Sequence, residues 1–127
     1  MPRHLESAEQ RLFVQRFRLD PRTRDWPACA IPNGGRRGKV EAAILKGEGV
    51  SAGAPDWVCF KTTIWPATAG GYHGLALEFK SPTGKGRLTD AQRWWHHALD
   101  DEGWRVAVVT SADHAWTILC ETYGLIP

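Results

Sequence analysis

The chain has 127 residues, with 43% hydrophobic and 24% charged residues and a formal net charge of +2. That length suits one domain with a core that needs neither disulfides nor a structural metal, and a charge so near zero means that any nucleic-acid surface must come from local clustering. Three scattered cysteines, Cys29, Cys59 and Cys120, give no Cys-x-x-Cys pair, which argues against a disulfide framework or a thiolate zinc site and makes a reducing cytoplasm the expected compartment.

No apolar run approaches the length of a bilayer span, and the polar start with Glu6 and Glu9 does not read as a signal peptide. Seven tryptophans in so short a chain are expected mostly in the core, since each removes a large apolar area from water.

In chain order, the spacing of Ala8, Leu12, Phe13 and Phe17 predicts a helix over 7–19, opened by a capping box of Ser7 with Gln10 and closed by Asp20-Pro21. Residues 29–31 are a short strand candidate, followed by the turn Pro32-Asn33-Gly34-Gly35. Arg36, Arg37 and Lys39 form a basic patch leading into a second helix, 40–46, closed by Gly47 and Gly49. A strand is expected over 57–64, a turn-rich connection over 66–71, and a strand over 74–80 with Leu75, Leu77 and Phe79 on one face. A polar loop, 81–88, carries Lys85 and Arg87. The spacing of Thr89 with Gln92 opens a helix over 89–101, with Ala91, Trp94, Trp95, Ala98 and Leu99 as its apolar stripe. An apolar strand, 105–110, is expected to be buried on both faces, and 112–123 is the last helix. This order describes an α/β fold with a central mixed sheet covered by helices.

The strand over 74–80 carries the strongest chemical signal. Side chains alternate along a strand, so Glu78 and Lys80 project together, opposite Phe79. Taken alone, the pair reads as a solvated ion pair of little energetic value, and Pro55-Asp56 alone reads as a turn. If the two strands are neighbours, Asp56 and Glu78 approach each other, and two close carboxylates repel unless a cation bridges them or one is protonated. Mg²⁺ suits such oxygen ligands, and the Phe79 carbonyl offers one more. Lys80 would then stand beside an activated water and an attacked phosphate.

These residues belong to a longer ordered set: Glu9, Pro32-Asn33-Gly34-Gly35, Gly49-Val50, Gly53-Ala54-Pro55-Asp56, Tyr72-His73-Gly74-Leu75, Glu78-Phe79-Lys80, Gln92 and Ser111. The set resembles the VRR-NUC group of the PD-(D/E)xK nuclease superfamily over about residues 9–119. The resemblance implies a restriction-endonuclease-like core, catalysis with Mg²⁺ or Mn²⁺, and DNA as substrate. It implies Asp56, Glu78 and Lys80 as the central site, with Gln92 nearby, although Gln92 equally completes a capping box. It also implies Glu9 as a further metal carboxylate beside Asp56, Glu78 and the Phe79 carbonyl, with a product carrying a 5′-phosphate. Glu9 falls within the arc of Ala8, Leu12 and Phe13 and faces inward, toward a metal or Arg16, whereas Glu6 precedes the expected cap.

Asn33, Arg36, Arg37, Lys39, Lys85 and Arg87 are the expected DNA contacts. His73, His96, His97 and His114 lack a convincing metal spacing and are expected to be solvated or capping. No dinucleotide fingerprint or Walker motif occurs, so no nucleotide cofactor is expected. A homodimer is expected, because a single small domain offers little surface to duplex DNA, whose two-fold axis matches a symmetric pair. The alternatives are a DNA-binding or junction-binding module that keeps the fold without cutting, and a structural or assembly protein whose acid–base pair is incidental. A flap, branch or four-way junction in repair, recombination or phage DNA processing would each suit such an endonuclease.

Overall fold

The computed structural model describes residues 5–32, 38–63, 70–83 and 87–127. Helix α1 is Leu5–Leu19, strand β1 Ala28–Ala30, helix α2 Lys39–Gly47, strand β2 Trp57–Cys59, strand β3 Leu75–Phe79, helix α3 Asp90–Asp101, strand β4 Arg105–Val109 and helix α4 Ala112–Tyr123. The strands form one sheet in the order β1-β2-β3-β4, antiparallel except for the parallel β3–β4 pair. This is the mixed, helix-covered sheet the sequence predicts, because the β3–α3–β4 segment supplies the crossover that a parallel pair requires.

Alternation along β3 sends Leu75, Leu77 and Phe79 to the face covered by α1 and α4. There they meet Phe13, Phe17, Trp57, Val109, Trp116 and Leu119 in one buried cluster. The Phe13 ring stands edge-on to Trp57, with centroids 4.8 Å apart, a favoured aromatic geometry. The buried Thr23 hydroxyl donates to the Phe17 carbonyl at 2.7 Å, so the turn after α1 satisfies an end carbonyl of the helix.

Several expectations change. Helix α1 is already formed at Leu5, so Ser7 and Gln10 lie inside it and make no capping box, and Leu12 is exposed. Of the tryptophans, only Trp57 and Trp116 are buried among the described residues, and Trp94 is 64% exposed. The apolar stripe assigned to α3 is therefore not a core stripe, and α3 has no buried residue. Strand β2 stops at Cys59, where the Phe60 N–H donates to the Pro27 carbonyl. Pro27 has no N–H to return the bond, which ends the ladder. Strand β4 is at the sheet edge, and only Val109 in it is buried, so it is not covered on both faces. Helix α2 packs against no other helix or strand of the described residues. The three cysteines are free.

Candidate active site

The pairing register brings the two carboxylates together. Trp57 stands opposite Leu77 in the antiparallel β2–β3 pair, so the next rung places Asp56 opposite Glu78, on the face away from the aromatic core. The Asp56 N–H donates to the Leu77 carbonyl at 3.0 Å, extending the ladder by that rung. Directly opposed residues on one face lie within side-chain reach. Asp56 is also held from the side: its Oδ2 accepts from the Phe79 N–H at 2.7 Å, and its carbonyl accepts from the Ile31 N–H at 2.9 Å.

The loop before Asp56 is fitted to α3 at Gly53. Its φ is +88°, and an added Cβ would lie 2.5 Å from the Ala91 carbonyl carbon. Only glycine permits both that backbone and that approach. The loop is thereby pressed against the first turn of α3, the turn that carries Gln92.

Gln92 completes the capping box and also reaches Glu78 and Lys80. With Thr89 it closes a capping box, its Oε1 accepting from the Thr89 N–H at 2.9 Å. The same Oε1 accepts from Lys80 Nζ at 3.0 Å, and its Nε2 donates to Glu78 Oε2 at 3.2 Å. One amide thus fixes the acid and the lysine of adjacent β3-end positions against each other.

Glu78 is buried, at 2% exposure, so it is not part of a solvated ion pair. Its Oε1 has no hydrogen-bond partner, and neither has the buried Nε2 of His96, 3.7 Å away. His96 lies one turn after Gln92 on the same helical face, with a side chain only 15% exposed. It is neither solvated nor capping, as the sequence had suggested; it lies against the central acid. The signal was the four-residue spacing from Gln92, which points both side chains at one strand.

The acids strain against each other. Burial, a hydrogen bond with Glu78 and the charge of Glu78 push Asp56 up from 3.8 to about 7, against the smaller lowering by the Phe79 N–H and the Lys80 charge. A shared proton relieves such a pair, and so does a cation. The orphaned Glu78 oxygen, the strained Asp56 and hard oxygen donors on one rung fit a small divalent ion. No cluster of three or more acidic, His or Cys side chains occurs among the described residues, so the remaining ligands of such an ion would be carbonyl and water oxygens, which Mg²⁺ accepts readily.

Asp56, Glu78, Phe79, Lys80 and Gln92 line one cavity of about 1160 Å³. Glu9 does not line it: its Oε1 accepts from the Ala112 N–H at 2.8 Å, at the start of α4. The inward-facing acid has a partner, but it is a helix N-terminus, which favours a carboxylate, not Arg16, which lies over the Trp116 ring and 3.9 Å from Asp113. Glu6 and Gln10 occupy the cavity wall instead. Lys39 and Arg87 are exposed and do not line the cavity. Asn33, Arg36, Arg37 and Lys85 lie outside the described residues.

The VRR-NUC domain family model matches residues 6–113. The chain belongs to the VRR-NUC family. A solved structure described as a VRR_NUC domain protein superposes with a TM-score of 0.72 at 26% identity, covering 95% of this chain and 89% of that one. Among curated proteins, none matches. The VRR-NUC domain is a nuclease domain of the PD-(D/E)xK superfamily. No described helix is long and apolar enough to cross a membrane.

Proposed function

We propose that this VRR-NUC protein is a divalent-metal-dependent DNA endonuclease whose reaction centre is Asp56, Glu78 and Lys80. The observation that carries the proposal is the shared rung of Asp56 and Glu78, with Lys80 Nζ held 3.0 Å from the Gln92 amide oxygen that belongs to the same network. Asp56, Glu78 and the Phe79 carbonyl would hold Mg²⁺ or Mn²⁺. Such an ion lowers the pKa of a water and neutralises charge gathering on the phosphate.

The protein's own groups do the rest. The Phe79 N–H and the Gln92 amide fix the two carboxylates, so that little reorganisation is needed when the phosphate arrives. Lys80 donates to the phosphate oxygen or to the attacking water, a role that suits a compact ammonium. Its proximity to Asp56 and Glu78 sets the register between nucleophile and phosphate. Hydrolysis breaks the P–O3′ bond, leaving a 5′-phosphate and a 3′-hydroxyl.

The proposal includes a homodimer, with a flap, a branch, a four-way junction and plain duplex as the candidate substrates. The apolar side chains Val40 and Ile44 of α2 and Trp94 of α3 are exposed in the single chain, which favours a partner surface of that kind. Labelled duplex, flap and four-way-junction DNA incubated with Mn²⁺, and with EDTA, tests the activity. Cleavage that EDTA abolishes and Glu78→Ala removes is the expected result. DNA binding without cleavage in any metal would leave the alternative, a junction-binding module that keeps the nuclease fold. Light scattering on the purified chain tests the dimer.

A further inference from the structure

The cavity that holds the carboxylates does not end at them. It continues along α1, where Ser7, Arg11, Val14, Gln15 and Arg18 line its wall. Their spacing, four, three, one and three residues apart, is that of one helical face. Phe13 and Phe17, about a third of a turn away around α1, enter the core. The helix therefore has a core face and a groove face, and two arginines stand on the second.

Arg11 and Arg18 share with Arg24 and Arg87 the lack of an ion pair among the described residues, but of these four only Arg11 and Arg18 line this cavity. Arg16, Arg22, Arg93 and Arg105 each lie against a carboxylate. Arg11 and Arg18 are exposed and make no ion pair or hydrogen bond among the described residues. They are separated by seven residues, about 10 Å along the axis. Between them on α1 the wall carries Val14 and Gln15, and Ile31 after β1 also lines the cavity. Glu6 is the one carboxylate of α1 on this wall. At about 1160 Å³, the groove exceeds the usual volume for one small molecule.

We propose that this face of α1 is the track for one strand of the DNA substrate, with Arg11 and Arg18 on successive backbone phosphates and the apolar lining against sugars and base edges. The inference rests on the nuclease reading for its substrate class and goes beyond it in assigning where the strand runs. Positive groups along a groove hold a nucleic-acid backbone without regard to sequence. The groove opens directly onto Asp56 and Glu78, so a strand held there places a phosphate at the reaction centre. These two arginines escape notice in the sequence because they are isolated; only the helix brings them to one face.

The test is a fluorescence-anisotropy titration of a labelled single-stranded oligonucleotide in Ca²⁺, at several salt concentrations. Each lost phosphate contact flattens the log–log salt slope by about 0.7 on a single strand. Arg11→Ala with Arg18→Ala should flatten it by about 1.4 and weaken binding by roughly tenfold at moderate salt. The paired lysine variant, Arg11→Lys with Arg18→Lys, should keep the slope, because the charge remains. Arg93→Ala, at the outer side of α3, should leave slope and affinity unchanged. A double alanine variant with unaltered melting, slope and affinity overturns the track, as does an equal loss in Arg93→Ala. The two proposals fail separately. Cleavage with an unchanged KM in the double variant removes the track and leaves the nuclease, whereas salt-sensitive binding through Arg11 and Arg18 without cleavage in any metal removes the nuclease and leaves the track.

Discussion

The two faces of the sheet are built on opposite terms. On the α1–α4 face, Phe13, Phe17, Trp57 and Trp116 interlock with Leu75, Leu77 and Phe79, the buried Thr23 hydroxyl is hydrogen-bonded, and the polar atom left without a partner is the neutral Trp116 Nε1. On the α3 face, a short loop and one amphipathic helix close over a buried carboxylate whose oxygen has no partner, while Trp94 remains in solvent. The first face stabilises the fold, and the second keeps charge buried at a cost to stability. Buried charge without a full set of partners is retained where function demands it. The same strand, β3, serves both, since adjacent residues point to opposite faces.

The sharpest way to separate the faces is to change Glu78. Glu78→Ala should reduce cleavage on the order of 10³-fold or more, since it removes a fixed charge from the reaction centre, while the melting temperature should hold or rise because an orphaned oxygen disappears. A melting temperature lowered by more than about 5 °C would place Glu78 among the stabilising residues and break the comparison.

Phe13→Ala is the mirror experiment. It should cost about 3–5 kcal/mol by leaving a cavity among Trp57, Phe79 and Trp116, read as a shift in the urea midpoint. Trp94→Ala should move stability by only about 0.5 kcal/mol. Equal costs would mean that α3 is anchored as firmly as α1.

Within the polar face, His96, 3.7 Å from Glu78, is expected to act as a positioning residue. His96→Ala should lower turnover by about 10- to 100-fold, the usual scale for a group behind a catalytic ligand, with the melting temperature nearly unchanged. Calorimetric titration with Mn²⁺ is the discriminating readout, because loss of the Glu78 orientation weakens ion binding, whereas a purely structural role moves the melt and leaves ion affinity alone.

The smallest effect is on pH. The folded pKa of Asp56, about 7, lies above its ordinary value of 3.8. The folded chain therefore binds more protons than the unfolded one, so stability is lost as pH rises from about 4 through about 7. Without divalent ions, the melting temperature should fall by a few degrees over that window, roughly. Asp56→Asn should flatten the trend, and Mg²⁺ should oppose it. A melting temperature that rises between pH 4 and pH 7 and does not respond to Asp56→Asn would mean that the acids are not in conflict.

What the sequence determined by itself is whatever repeats at short range. The spacing of Phe13 and Phe17 made α1, the alternation of Leu75, Leu77 and Phe79 set the core face of β3, and Thr89 with Gln92 marked the start of α3. Pro55-Asp56 and Glu78-Phe79-Lys80 were legible as a candidate site only as parts of one ordered set that resembles the family. The tertiary structure decided what depends on register and on distant packing. It put Asp56 and Glu78 on one rung, gave Glu9 to the α4 N-terminus, aimed His96 at Glu78, and turned Arg11 and Arg18 into one groove wall. Those outcomes follow from the register of the β2–β3 pair and from which face of each helix docks on the sheet. A string of residues fixes which side chains share a face, but only the docking of that face fixes what the side chains meet.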